Sequence, residues 1–217
     1  LKTIVESAMA PPVVGMGHSL GAVTTCIAAA RSPELFSAII LLDPVFLSTR
    51  NLWRVALIRL LGLRSWLPLA RNARQRKRSF TSKQSALRRF AAGKGIFKSW
   101  SEDFIEAYME CGLLVQDTKR AVLRCDPELE AQIFESVPLN VWQTVARVSC
   151  PILALRGEKS ETFVREAGRR LKKIAADAQV ITVPNAGHFL PMERPKETAE
   201  AIVGFVDRSL SGDRSAQ

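Results

Sequence analysis

The 217-residue chain is poor in several residue types that specialised protein classes need. It has two histidines, one tyrosine and four cysteines. No uncharged apolar run reaches the roughly 18 residues of a membrane span. Two histidines cannot build a histidine-rich metal centre. The cysteines, Cys26, Cys111, Cys125 and Cys150, are far apart with no C-x-x-C spacing. Neither a zinc site nor a disulfide framework is expected of them, and they read as reduced thiols of a cytoplasmic chain, with any signal peptide lying upstream of Leu1. A Gly-rich phosphate loop is also missing, so the expectation is no metal and no organic cofactor. Acidic residues are missing from one stretch. From Arg50 to Lys98 there are fourteen Lys or Arg and no Asp or Glu, so this segment carries +14 of a net +10 and the remainder sums to −4.

What is present is an ordinary globular balance, 47% hydrophobic and 24% charged, with enough chain for a sizeable core. The basic segment 50–98 also holds Trp53, Trp66, Phe80 and Phe90 and the dense run Arg71 to Arg78. Three readings of it compete. It is a solvated basic face, or a surface that meets anionic lipid or steers an anionic substrate, or a nucleic-acid patch. The last ranks lowest, because no nucleic-acid-binding motif accompanies it.

Residues 11–16 read as a short strand entering a Gly-rich turn, and Leu20 to Arg31 as a helix stopped by Ser32-Pro33. Ser37 to Leu42 is an apolar run of strand length closed by Asp43-Pro44. Residues 45–148 show amphipathic helical patterns and no strong strand signal. Pro151 to Arg156 is another buried strand, Glu161 to Ala176 a helix with Ser160 as its N-cap, and Gln179 to Val183 the last of four strands. A loop from Pro184 leads into a last helix opened by Pro195. This order predicts an α/β fold with a mostly parallel sheet flanked by helices. The expected organisation is 1–44 as one half of the core, 45–148 as an inserted helical cap, and 149–217 as the other half.

Gly17-His18-Ser19-Leu20-Gly21 fits G-x-S-x-G between a buried strand and a helix. That is the setting of a nucleophile elbow, where a tight turn needs its glycines and lifts a serine hydroxyl out of the sheet. The backbone N–H of Leu20 would supply one oxyanion donor. The base must be one of two histidines. His18 lies beside Ser19 on the elbow and is expected to point elsewhere. His188, in the loop after the last strand, is where an α/β sheet presents ligand-facing groups.

Val14 to Gly21 and Asn185 to Pro195 resemble the two signature segments of the α/β-hydrolase superfamily, in its cap-bearing branch. The resemblance covers the segments on either side of the insertion. It implies a Ser-acid-His triad in that chain order, under a helical lid. The family places the acid after the strand preceding the cap or after the strand following it. Asp43 ends the first and Glu161 follows the second, with Glu158 as a third choice. Asp43 is favoured, because Glu161 also suits the first turn of a helix. Relatives carry further strands and an oxyanion loop before the elbow. The expectation is therefore that the first strands and a second oxyanion donor lie in roughly 70–90 upstream residues.

The resemblance implies a serine hydrolase acting on an ester, thioester or related acyl bond of a small-molecule substrate, anionic or lipid-like if the basic segment selects it. Serine at the elbow argues against dehalogenases and epoxide hydrolases, which use aspartate there. A carbon–carbon hydrolase or lyase on the same triad stays open, as does a non-catalytic binding protein of the same fold.

Overall fold

The computed structural model describes residues 2–92, 95–117 and 120–210. In chain order the elements are α1 (Lys2–Ala8), β1 (Val13–His18), α2 (Leu20–Arg31), β2 (Phe36–Leu42), α3 (Thr49–Leu60), α4 (Pro68–Arg74), β3 (Ser79–Phe80), α5 (Lys83–Ala91) and α6 (Glu102–Gly112). They continue with β4 (Leu113–Asp117), β5 (Arg120–Leu123), α7 (Pro127–Glu135), α8 (Val141–Val145), β6 (Ile152–Gly157), α9 (Arg165–Ile174), β7 (Ala178–Val183), α10 (Leu190–Glu193) and α11 (Pro195–Leu210). The chain divides into two compact units, residues 1–50 with 138–217, and residues 51–137.

The first unit is built on a parallel four-stranded sheet in the order β1-β2-β6-β7. Parallel strands need crossover connections, and here α2 joins β1 to β2 while α9 joins β6 to β7. The two central strands, FSAIILL and ILALRG, are apolar almost throughout because neither face meets water. Alternate residues serve opposite faces. Ile40, Leu42, Leu153 and Leu155 share one cluster with Val183, Leu190 and Phe205 of α11. Ile39, Leu41, Ile152 and Ala154 turn to the other face and are equally buried. α2 packs against β1 and β2, which explains its buried Ala22, Val23, Cys26 and Ala29.

The units meet in sequence at 50/51 and 137/138, not at 44/45 and 148/149, because both flanks of the insertion pack into the first unit's core. Phe46 is fully buried, with its ring 5.4 Å from Trp142 and 5.9 Å from Phe163. The Trp142 indole N–H donates to the Leu47 carbonyl at 2.9 Å. Arg170 lies 4.5 Å over the Trp142 ring and donates to Thr49 Oγ1 at 2.8 Å.

The second unit is not purely helical. It contains an antiparallel three-stranded sheet in the order β3-β5-β4. Its strands escape notice in the sequence because β3 has two residues and β4 leaves α6 without a break. Phe80, Leu113, Ala121 and Leu123 pack with Ile105 and Met109 of α6 and the Phe97 and Phe90 rings. A second cluster joins Leu67, Ala70 and Ala73 to Ala131 of α7, with Val55 and Ile58 of α3 against it. The dense basic run is partly neutralised inside this unit. Arg74 pairs with Glu128 and Glu135, Arg76 with Glu130, and Arg78 with Asp126.

Candidate active site

Each of the four parallel strands ends in a group that belongs to one hydrogen-bonded cluster. The carboxyl end of such a sheet is where loops from adjacent strands converge. Ser19 follows β1, Asp43 follows β2, Ser160 follows β6, and His188 follows β7.

Ser19 stands between the last residue of β1 and the first of α2 with φ 56° and ψ −115°. A side-chain-bearing residue in that region costs on the order of 1–3 kcal/mol and persists only where its surroundings enforce it. Here the backbone is held on both sides. The Ser19 N–H donates to the Leu42 carbonyl at 2.9 Å, and the Val23 N–H reaches back to the Ser19 carbonyl. Gly17 allows the sharp reversal, since a methyl group there would fall on the backbone of Gly21 and Ala22. Gly21 itself is different from expectation. A Cβ on it would meet nothing within 4 Å, so this glycine contributes its backbone to a close approach without needing room for itself. Leu20 is the first residue of α2, and its N–H has no intrahelical partner.

His188 Nε2 lies 2.9 Å from Ser19 Oγ, and His188 Nδ1 lies 2.7 Å from Asp43 Oδ2. Asp43 is completely buried, with φ 41°, whereas the His188 side chain keeps 24% exposure. Two further donors reach the same carboxylate. The Gly157 N–H donates to Oδ1 at 3.1 Å, and the Ser160 hydroxyl donates to Oδ2. With the carboxylate accepting on all sides, Nδ1 of His188 carries the proton. Nε2 is left to accept from Ser19.

Glu161 takes no part in this cluster. It is exposed and hydrogen-bonded to neither His188 nor Ser19. The helix expected to begin beside it starts at Arg165, after Val164. Ser160 therefore does not cap a helix. Its oxygen accepts from the N–H groups of Thr162 and Phe163 while its hydrogen goes to Asp43. The sequence reading missed this serine because Ser-Glu followed by an amphipathic stretch has the form of a helix start. It also missed Arg156, whose buried guanidinium donates to the carbonyls of Phe163 and Glu158 and to Thr182 Oγ1, fixing the loop that carries Ser160. Glu158 accepts from the Asn185 N–H, and Glu193 from the Gly187 N–H, so both carboxylates brace the His188 loop.

His18 is closer to the cluster than expected. Its Nε2 donates to the His188 carbonyl at 2.8 Å, and the two rings lie 4.8 Å apart. Burial lowers its pKa, against an upward pull from that carbonyl bond. It acts as a prop for the histidine loop, with no bond to Ser19. Among the described residues no group of three His, Cys, Asp or Glu side chains could hold a metal ion.

Comparison with known proteins gives a consistent answer. The family model described as "Alpha/beta hydrolase family" matches residues 1–201. An abhydrolase domain-containing protein of Alternaria alternata, AKT2, is 26% identical over 230 residues, spanning 92% of this chain and 85% of that protein. The 2-(acetamidomethylene)succinate hydrolase of Mesorhizobium japonicum is 25% identical over 194 residues, which is 88% of this chain and 63% of that enzyme. The solved structure of E-2-(acetamidomethylene)succinate hydrolase matches with a TM-score of 0.67 at 23% identity, across 89% of this chain and 66% of that one. The chain thus spans a little under two thirds of the length of that hydrolase. A match over residues 1–201, on a parallel sheet with a strained serine at the end of β1, places this chain in the alpha/beta hydrolase family.

Proposed function

We propose that this protein is a serine hydrolase that cleaves an ester, thioester or related acyl bond through an acyl-enzyme, with Ser19 as nucleophile, His188 as base and Asp43 as the acid of the triad. The observation that carries the reading is the unbroken hydrogen-bonded series Ser19 Oγ, His188 Nε2, His188 Nδ1 and Asp43 Oδ2.

In this mechanism His188 Nε2 takes the hydroxyl proton as Ser19 Oγ bonds to the acyl carbon. The oxyanion of the tetrahedral intermediate accepts from the Leu20 N–H at the positive end of α2. Collapse breaks the bond to the leaving group, which departs with the proton from His188. Water then repeats the sequence on the acyl-Ser19 bond and releases the acid. Asp43 fixes the tautomer and stabilises the imidazolium formed in each half. Gly157 and Ser160 hold Asp43 in place, and Arg156 holds the loop that brings Ser160 there.

The test is labelling with a fluorophosphonate probe, with the modified peptide identified by mass and Ser19→Ala as the blank. A single adduct on Ser19, absent from the variant, supports the reading. A folded protein that takes no label and turns over no acyl ester in a substrate panel overturns it.

A further inference from the structure

The second unit carries an apolar stripe that faces outward. On α3, Trp53, Leu57, Leu60 and the following Leu61 stand at i, i+4, i+7 and i+8, which is one face of a helix. In a globular protein that spacing marks the side turned to the core. Here Trp53 is 73% exposed and Leu60 83%, while α3 has no fully buried residue. Its inner side is supplied by Val55 and Ile58. The exposed apolar run continues with Trp66, at 70% exposure, and Leu69. Six large exposed apolar side chains within seventeen residues make more apolar surface than isolated exposed leucines would.

The charges beside the stripe identify what it meets. Arg74, Arg76 and Arg78 already have carboxylate partners on α7 or at its N-cap. Among the described residues no carboxylate makes an ion pair with Arg54, Arg64 or Arg71, all of which are exposed. Arg59 is crowded by Arg64, and its Nε and Nη2 are shielded from water without a hydrogen-bond partner. The 51–137 unit as a whole has sixteen Lys or Arg against nine Asp or Glu. We propose that the outer face of α3 and the turn after it form a docking surface for an anionic phospholipid bilayer, with Trp53, Leu57, Leu60 and Trp66 entering the headgroup–acyl boundary and Arg54 and Arg64 meeting the phosphates.

Tryptophan and leucine on one side with arginines beside them is the make-up of a helix that lies in the membrane interface. The binding is peripheral, since no described helix is long and apolar enough to cross a bilayer. Self-pairing of the same face would set the unpaired arginines of one copy against those of another. A nucleic acid would satisfy the arginines and leave the apolar stripe in water.

The experiment uses the full chain and vesicles of phosphatidylcholine, with or without about one-third phosphatidylserine. Co-sedimentation with the anionic vesicles is expected, with little on the neutral ones. Binding should weaken by about tenfold or more between roughly 0.1 and 0.5 M salt. Trp53→Asp with Leu60→Asp should lower partitioning at least about tenfold, and Arg54→Glu with Arg64→Glu by a similar factor. Val203→Asp on α11, where the side chain is 57% exposed, should leave it unchanged. A measurement on the unaltered chain guards against variants that misfold. Brominated lipid should quench its tryptophan emission, and Trp53→Phe should remove part of that quenching. No binding, equal binding to neutral vesicles, or dimerisation in sedimentation velocity that Trp53→Asp abolishes would each overturn the proposal.

Discussion

The two units solve opposite problems with polar groups. In the first, charged groups are buried and tied to named partners. Asp43 is fully buried with three donors, and Arg156 is buried with three acceptors. Positive-φ side-chain-bearing residues fall there too, at Ser19, Asp43 and Asn185. In the second, the ion pairs are partly exposed and the large apolar side chains are in part turned outward. A parallel sheet whose two central strands are covered on both faces holds the strained Ser19 and the buried Asp43 carboxylate at its end. Among its described residues the second unit buries no charged side chain completely and turns large apolar ones outward.

The largest effect that would sharpen this contrast is chemical. Asp43→Asn should lower acyl turnover on the order of 10⁴-fold, because the amide no longer holds His188 in the productive tautomer. Glu161→Gln should stay within about twofold, as expected of an exposed surface residue. Steady-state kinetics on one acyl ester reads both, and comparable losses would break the assignment of the acid. Next comes packing. Gly157→Ala places a methyl on the Gly187 carbonyl and should cost about 3 kcal/mol or more. Gly112→Ala in the second unit meets only the Tyr108 ring at ordinary contact distance, and should stay within about 1 kcal/mol of the natural chain. Denaturant melts separate the two.

Ser160→Ala removes one of the three donors to Asp43 and should lower kcat by roughly ten- to a hundredfold with KM little changed. Ser160→Thr should restore most of the rate, an outcome that a merely structural loss would not give. The pH dependence of stability gives a smaller effect. Burial lowers the His18 pKa, so the folded protein binds less proton there than the unfolded chain. The His18 contribution is complete above the ordinary histidine pKa of about 6.5 and is lost as pH falls through the lower folded value. Melts from about pH 7.5 to pH 5 should show this loss, and His18→Gln should flatten it. The smallest effect belongs to the second unit. Arg76→Met breaks a partly exposed pair with Glu130 and should cost no more than about 1 kcal/mol.

Local patterns were legible in the sequence, and distant pairings were not. The elbow at Ser19, the histidine loop, the helix Leu20–Arg31 and the positions of the four parallel strands along the chain all follow from runs of neighbouring residues. Asp43 and Glu161 could not be separated by such runs, because what distinguishes them is contact with His188 across 145 residues of chain. The basic run Arg71 to Arg78 looked unbalanced for the same reason. Its acids, Asp126, Glu128, Glu130 and Glu135, come about fifty residues later. Their recurrence on α7 was the available signal. α10 was hidden inside the segment from Pro184 that reads as a loop before the helix opened by Pro195. Pro191 sits instead in the opening turn of α10, where the missing N–H costs nothing, just as Pro195 does in α11.

The contact between Ser160 and Asp43 gives the carboxylate two possible owners. Asp43 Oδ2, the oxygen that faces His188 Nδ1 from the end of β2, is the same oxygen that Ser160 meets from the loop after β6. An acid and a hydroxyl facing each other across one hydrogen bond can exchange places. The paired variant Asp43→Ser with Ser160→Asp should therefore regain activity that either change alone removes. In a lineage of such enzymes, migration of the acid from one strand to another would need only two substitutions at a site already shaped for both, with no rebuilding of the sheet.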